Sequence, residues 1–175
     1  MASFGERVLG AMQLKAATFE DVEHDPTATG QAAAVVLLAS VATAVGWSAA
    51  GGQFAIVRSI FGALIGWGLS AVLIWLIGTK LLPQKNTEAD LGQILRACGF
   101  AQSAGMLHVV ALVPGIGWVF SIFVIGIWVL IANVIAVRQA LDYEDTPRAL
   151  AVCAIAWVAQ VIILLIFGGV RVFSL

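Results

Sequence analysis

Residues 97–137 read ACGFAQSAGMLHVVALVPGIGWVFSIFVIGIWVLIANVIAV, and none of these 41 positions carries a charged side chain. A helix needs about 20 apolar residues to cross roughly 30 Å of hydrocarbon, so this stretch is too long for one crossing and suits two. Pro114-Gly115-Ile116-Gly117 divides it, because Pro forbids a continuous helix and Gly supplies a tight turn. The length rule then predicts spans over roughly 93–113 and 117–139.

Outward from there, the remaining charge-free runs are 26–57, 59–79 and 149–170. The last two hold one span each. The first holds one, Thr29 to Ala50, then the Gly51-Gly52 break and the opening turn of the next helix. The total is five. Composition agrees: 61% of the residues are hydrophobic and 11% charged, where a soluble domain carries about 25% charged residues. A water-soluble globule of this size cannot bury such a fraction. The chain therefore reads as an all-α polytopic membrane protein whose first partner is the lipid bilayer. A net charge of −1 with 9 basic residues leaves no basic face to neutralise phosphates, so a nucleic-acid partner is excluded. Cys98 and Cys153 lie inside apolar runs and encode neither a disulfide framework nor a zinc site.

The third span is the weakest. Gln102, Ser103 and His108 interrupt it, and its apolar part is only about 17 residues. Thr87 is placed to cap a helix opening over Thr87-Glu88-Ala89-Asp90, with Leu91, Ile94, Leu95 and Cys98 on one face along the interface. A re-entrant helix is the alternative, and the basic residues weigh the two. Five crossings with the N-terminus inside place Arg7, Lys15, Lys80, Lys85, Arg96, Arg138 and Arg148 inside and Arg58 and Arg171 outside, 7 against 2. A re-entrant third helix gives 6 against 3. The positive-inside rule favours five crossings, with the N-terminus cytoplasmic and the C-terminus outside.

Two parts follow: a cytoplasmic amphipathic segment, 1–26, and a five-helix transmembrane domain, 27–175. The segment has no apolar core or cleavage site of a signal peptide. Over 4–19, Phe4, Val8, Ala11, Met12 and Phe19 share one face, which predicts a short interfacial helix with Lys15 snorkelling to the headgroups. Asp25-Pro26 reads as the start of the first span.

Little in the chain carries chemistry. Glu20 and His24 stand one turn apart beside Asp21, Glu23 and Asp25, but a linear acidic run is usually just solvated, so no metal is expected. Gln102, Ser103, His108, Asn133 and Gln160 sit at membrane depth, where polar groups default to a functional reading. None is an acid or a permanent base, which removes proton relays and ion coupling. Interhelical hydrogen bonds, each about 0.6–2 kcal/mol, account for them, and a lined cavity is the alternative. Small residues recur every four positions: Ser40, Ala44, Ser48 and Gly52; Gly62, Gly66 and Ser70; Ala97, Ala101 and Gly105. Such stripes let helices approach closely. Trp47 and Trp118 fall where the outer interface should be. Gly115-Ile116-Gly117 lacks the strand, third glycine and basic partner of a phosphate cradle. No catalytic, cofactor-binding or metal-binding residue is assigned, and no enzyme is expected.

The chain nevertheless resembles the bacterial branch of the Yip1 family. The resemblance rests on Glu6-Arg7-Val8-Leu9-Gly10, on His24-Asp25-Pro26-Thr27-Ala28-Thr29-Gly30-Gln31-Ala32, and on Gly99-Phe100-Ala101-Gln102 leading to Pro114-Gly115-Ile116-Gly117-Trp118. Val137-Arg138-Gln139-Ala140-Leu141 and the closing apolar span complete it, over roughly 5–172. The resemblance implies a five-span bundle in the bacterial cytoplasmic membrane, N-terminus inside, with no catalytic residue to carry over. Eukaryotic relatives are linked to vesicle trafficking and Rab GTPases through long cytosolic N-terminal regions. This chain has about 26 residues before its first span, so Rab binding is not implied. The expected function is a non-enzymatic scaffold or adaptor, acting through helix packing and interfacial contacts on other membrane proteins or on itself. The alternative is small-molecule or ion permeation through a polar layer near Gln102, Asn133 and Gln160; the lack of a visible internal repeat speaks against it.

Overall fold

Two short helices precede five that are long and apolar enough to cross a membrane in the computed structural model, which describes residues 2–47, 54–85 and 87–172. The short pair is α1 (Phe4–Met12) and α2 (Ala16–His24). The spans are α3 (Ala28–Gly46), α4 (Phe54–Leu76, prolonged by a π turn over Ile77–Leu81) and α5 (Leu91–Ala101, continued as a 3₁₀ helix over Gln102–Leu112). Then come α6 (Gly117–Ala140, with a π turn at Ser121–Ile125) and α7 (Thr146–Val172). The end of the first span at Ala50, the Gly51-Gly52 break, and the stripe members Ser48 and Gly52 lie outside the described residues.

The long helices turn large apolar side chains outward. Phe61, Ile65, Phe123, Trp157 and Leu165 are each 60% exposed or more. A lipid phase solvates such a girdle, while every helical backbone group is satisfied within its own helix. Inside, Phe19, Val22, Val35, Ile94, Phe100, Val137, Leu141 and Val152 are fully buried.

The third span is long enough to cross, for a reason that residue counting misses. Its second half is wound as a 3₁₀ helix, which rises about 2.0 Å per residue against 1.5 Å in an α-helix. Eleven α and eleven 3₁₀ residues therefore reach about 38 Å, enough for the bilayer. Its cap is Asp90 rather than Thr87. The Asp90 carboxylate accepts the Gln93 N–H at 2.9 Å, and Gln93 Oε1 accepts the Asp90 N–H at 2.7 Å. This reciprocal box satisfies two orphan donors where a lone Thr satisfies one. The Thr87 hydroxyl accepts the Gln84 N–H instead.

The N-terminal segment also departs from expectation. A single helix over 4–19 is replaced by a helix–turn–helix, broken where Leu14 adopts φ +59°. Gly10 lies against the Thr18 side chain, an approach that no larger residue would allow. Lys15 sits exposed in the turn and has no apolar face to snorkel along. Ala11, Phe19 and Val22 bury against the protein, and the Phe4 ring meets Phe100 edge-on at 6.5 Å. Gly99 packs on Ala32, four residues into α3, so neighbouring Phe100 lies about 6 Å inside the start of that span. The pair thus docks on the bundle near the start of α3, with Leu9 on its exposed side. Asp25 ends α2, and its Oδ1 accepts from the Thr27 N–H (2.9 Å) and hydroxyl (2.6 Å), so the first span starts at Ala28.

Candidate functional site

All five spans contribute to a cavity of about 430 Å³ inside the bundle. Its polar lining is Ser40 and Thr43 from α3, Ser59 and Ser70 from α4, Gln102 and His108 from α5, Asn133 from α6 and Gln160 from α7. Trp67 and Trp157 supply aromatic wall, and both cysteines, Cys98 and Cys153, face it as free thiols. The 3₁₀ winding explains the α5 contribution. At three residues per turn, positions i and i+3 eclipse, so Gln102, Gly105 and His108 form one straight row on the cavity wall. On an α-helix the same three would drift away from each other.

Interhelical hydrogen bonding explains only part of the polar layer. Gln160 Nε2 donates to the Gly66 carbonyl of α4 at 3.2 Å, and His108 Nδ1 bonds Ser121 Oγ of α6 at 2.7 Å. The Ser103 hydroxyl, however, turns back to Phe100 O, and Asn133 Nδ2 to Val129 O, each within its own helix. The Gln102 carboxamide makes no protein hydrogen bond among the described residues. The expectation of interhelical bonds is thus corrected for Gln102, Ser103 and Asn133.

One layer closes the cavity toward the α1–α2 end. Ala32, Ile77, Ile94, Val137 and Ala149, one from each span, are all at most 4% exposed and stand one turn beyond the lining residues. On another side the rim includes exposed Leu130 and Trp157. Small-residue stripes sit where these surfaces meet. Ser40, Ala44, Ala97, Ala101 and Gly105 are buried, and Gly46 touches the His108 carbonyl so closely that a Cβ could not fit. Gly62 instead faces outward with open space around it. Trp47 and Trp118 are exposed at the ends remote from α1 and α2, as belt anchors would be. Gly115 turns the Pro114–Gly117 connection with φ +85°.

The second notable region is the junction of α1 and α2 with the spans. Arg7 is 2% exposed, and its guanidinium reaches Asp21 Oδ2 at 2.8 Å, Asp25 Oδ2 at 2.7 Å and Gln31 Oε1 at 3.3 Å. Hydrogen bonds from Thr27 and from Arg7 hold the Asp25 carboxyl down at about 2. Arg96, also buried, donates from Nε to the carbonyls of Val22 (3.1 Å) and Glu23 (3.0 Å), and from Nη2 to Glu23 O. A cation on the last carbonyls of α2 suits that helix end. By sequence both arginines are orientation charges, with Arg7 also part of the opening motif of the resemblance. Their partners lie 14 to 74 residues away, which no local pattern reveals. Tyr143, the single tyrosine, was missed for the same reason. Its hydroxyl bridges Gly78 O (3.0 Å) and Leu82 O (2.7 Å), acceptors at the π turn of α4. Of the acidic run, Glu20 and His24 are exposed, whereas Glu23 is buried rather than solvated.

A profile of the Yip1 domain matches residues 9–168, nearly the whole chain. No curated protein and no solved structure matches it significantly.

Proposed function

Because the chain belongs to the Yip1 domain family and is a multi-pass membrane protein, we propose that it acts as a membrane scaffold or adaptor without enzymatic activity. One observation carries this reading. The helix pair α1–α2 is locked to the bundle by buried Arg7 and Arg96 and presents Leu9, 58% exposed, on its open side. A pre-organised surface of this kind loses little entropy on binding a partner. The bilayer, other membrane proteins and further copies of the chain are the proposed contacts. Photo-crosslinkers placed at Leu9 and at outward-facing Phe61 test it. The scaffold reading expects a reproducible protein adduct at Leu9, to a second copy or another protein, and lipid alone at Phe61. Lipid adducts alone at both positions would end it.

The proposed setting is the bacterial cytoplasmic membrane, with residues 1–26 in the cytoplasm and the transmembrane domain at 27–175. Reporter fusions after Gln84 and Thr146 should then report cytoplasm, and those after Gly52, Gly115 and Leu175 the outside. An external signal at Thr146 would overturn this orientation.

The cavity favours a second reading, in which the bundle holds or passes a small neutral molecule. Its lining offers amides, hydroxyls and indole surface but no charge. The closed layer at Ile77, Ile94 and Val137 speaks against continuous permeation. With Cys98 and Cys153 replaced by alanine, a cysteine at Gln102 that reacts with impermeant thiol reagents from both sides of the membrane would restore it.

A further inference from the structure

Helix α2 carries Glu20, Glu23 and His24 at positions i, i+3 and i+4, which places them on one helical face. One potential ligand atom from each lies within 4.8 Å of the others. Proximity of acidic groups at a surface would mean little by itself. Here the central member is not at the surface. Glu23 is 1% exposed, and its Oε2 is the one buried side-chain oxygen or nitrogen among the described residues without a hydrogen-bond partner. Its Oε1 has only His24 Nδ1, at 3.4 Å. The nearby cation does not relieve it, because Arg96 spends Nε and Nη2 on the backbone carbonyls of Val22 and Glu23. A buried carboxylate oxygen facing no donor is a costly arrangement unless a proton or a cation completes it.

We infer that Glu20, Glu23 and His24 form a binding site for a divalent transition-metal ion, Zn²⁺ in the first place. The donor set decides the class. Two carboxylates with an imidazole suit Zn²⁺ and its borderline neighbours, whereas Mg²⁺ and Ca²⁺ take oxygen ligands almost throughout. The surroundings are arranged as around a metal site. Gln139 Nε2 donates to Glu20 Oε2 at 3.0 Å, which orients that carboxylate from a second helix, α6. Three protein ligands leave room for water. The site lies beside the Arg7 lock, in the last turn of α2, so an ion there would stiffen the same helix pair. The inference stands independently of the scaffold reading.

The test uses the full chain, untagged, in nanodiscs of neutral lipid. Calorimetric titration with ZnCl₂ should give one site per chain, and Co²⁺ should give visible d–d bands of low symmetry. Glu23→Gln and His24→Asn should each raise the Zn²⁺ dissociation constant at least about tenfold, the loss seen even for groups one shell further out. His24 is an exposed side chain, so its substitution leaves folding intact if Glu23→Gln does not. Glu144→Gln, an exposed carboxylate outside this group of ligands, should change nothing. Binding that survives both Glu23→Gln and His24→Asn, or no binding in the unaltered chain, overturns the site. Displacement of Zn²⁺ by equimolar Mg²⁺ overturns the assignment of class.

Discussion

The half of the bundle that carries α1 and α2 is filled; the half beyond Asn133 and Cys98 is hollow. Both halves are built from small residues at four-residue spacing, so spacing does not distinguish them. What differs is what each small residue faces. Gly99 receives Ala32 and the edge of Trp67, and Gly78 receives the Leu141 side chain, so small meets large and the gap closes. Ser40 of α3, Ser59, Gly66 and Ser70 of α4 and Gly105 of α5 instead line the cavity, and a void remains beside them. A small-residue stripe permits close approach without compelling it.

Breaking the filled half should have the largest effect. Arg7→Ala leaves Asp25, 11% exposed, without its cation. Removing one partner of a buried pair costs about 3–5 kcal/mol, and the half-exposed Asp21 argues for the low end. The checks are thermal unfolding in micelles and faster proteolysis at the α2–α3 turn. An unchanged midpoint would mean that charge does not hold this end together.

A paired insertion sharpens the contrast. Gly99→Leu adds bulk against Ala32 and Trp67 and should cost about 1–3 kcal/mol. Ser70→Leu adds bulk into the cavity and should stay within about 0.5 kcal/mol of the unaltered chain. Equal penalties in denaturant titration would show that both halves are packed alike.

Two smaller effects separate hydrogen bonds from packing. Tyr143→Phe strands the carbonyls of Gly78 and Leu82 at the filled end and should cost about 1–2 kcal/mol. Gln160→Leu forfeits one bond to Gly66 O, about 0.6 kcal/mol, whereas Gln102→Leu has no protein bond to lose. If Gln102→Leu proves the more damaging of these two glutamine changes, the cavity water or its occupant matters more than the protein bonds.

The contrast also shows which features a sequence can carry. The five spans were legible because charge is excluded from hydrocarbon, and their ends shifted only by a few residues. The cap at Asp90 was legible in principle, as Asp-x-x-Gln, but Thr87 competed with it. The break at Leu14 was not, since nothing in a leucine announces φ +59°. Burial of Glu23 was illegible too, because its acidic neighbours describe a solvated run and only the docking of α2 on α5 removes the water. For the polar layer, residue types gave depth but not reach. Whether Gln102 meets Gln160 or a void depends on helix separation, which spacing does not encode.

The 3₁₀ winding of Gln102–Leu112 makes the length of α5 and the facing of its polar row a single variable. Rewound as an α-helix, those 11 residues would shorten by about 5–6 Å and carry His108 around to another neighbour. A thinner bilayer favours the shorter form, since spans adjust to hydrophobic mismatch. The span would then work as a gauge of membrane thickness, with the cavity wall as its pointer. Thiol labelling of Gln102→Cys, in a chain with Cys98 and Cys153 replaced by alanine, across bilayers of graded acyl length reads that pointer, and labelling independent of chain length would mean the winding is fixed.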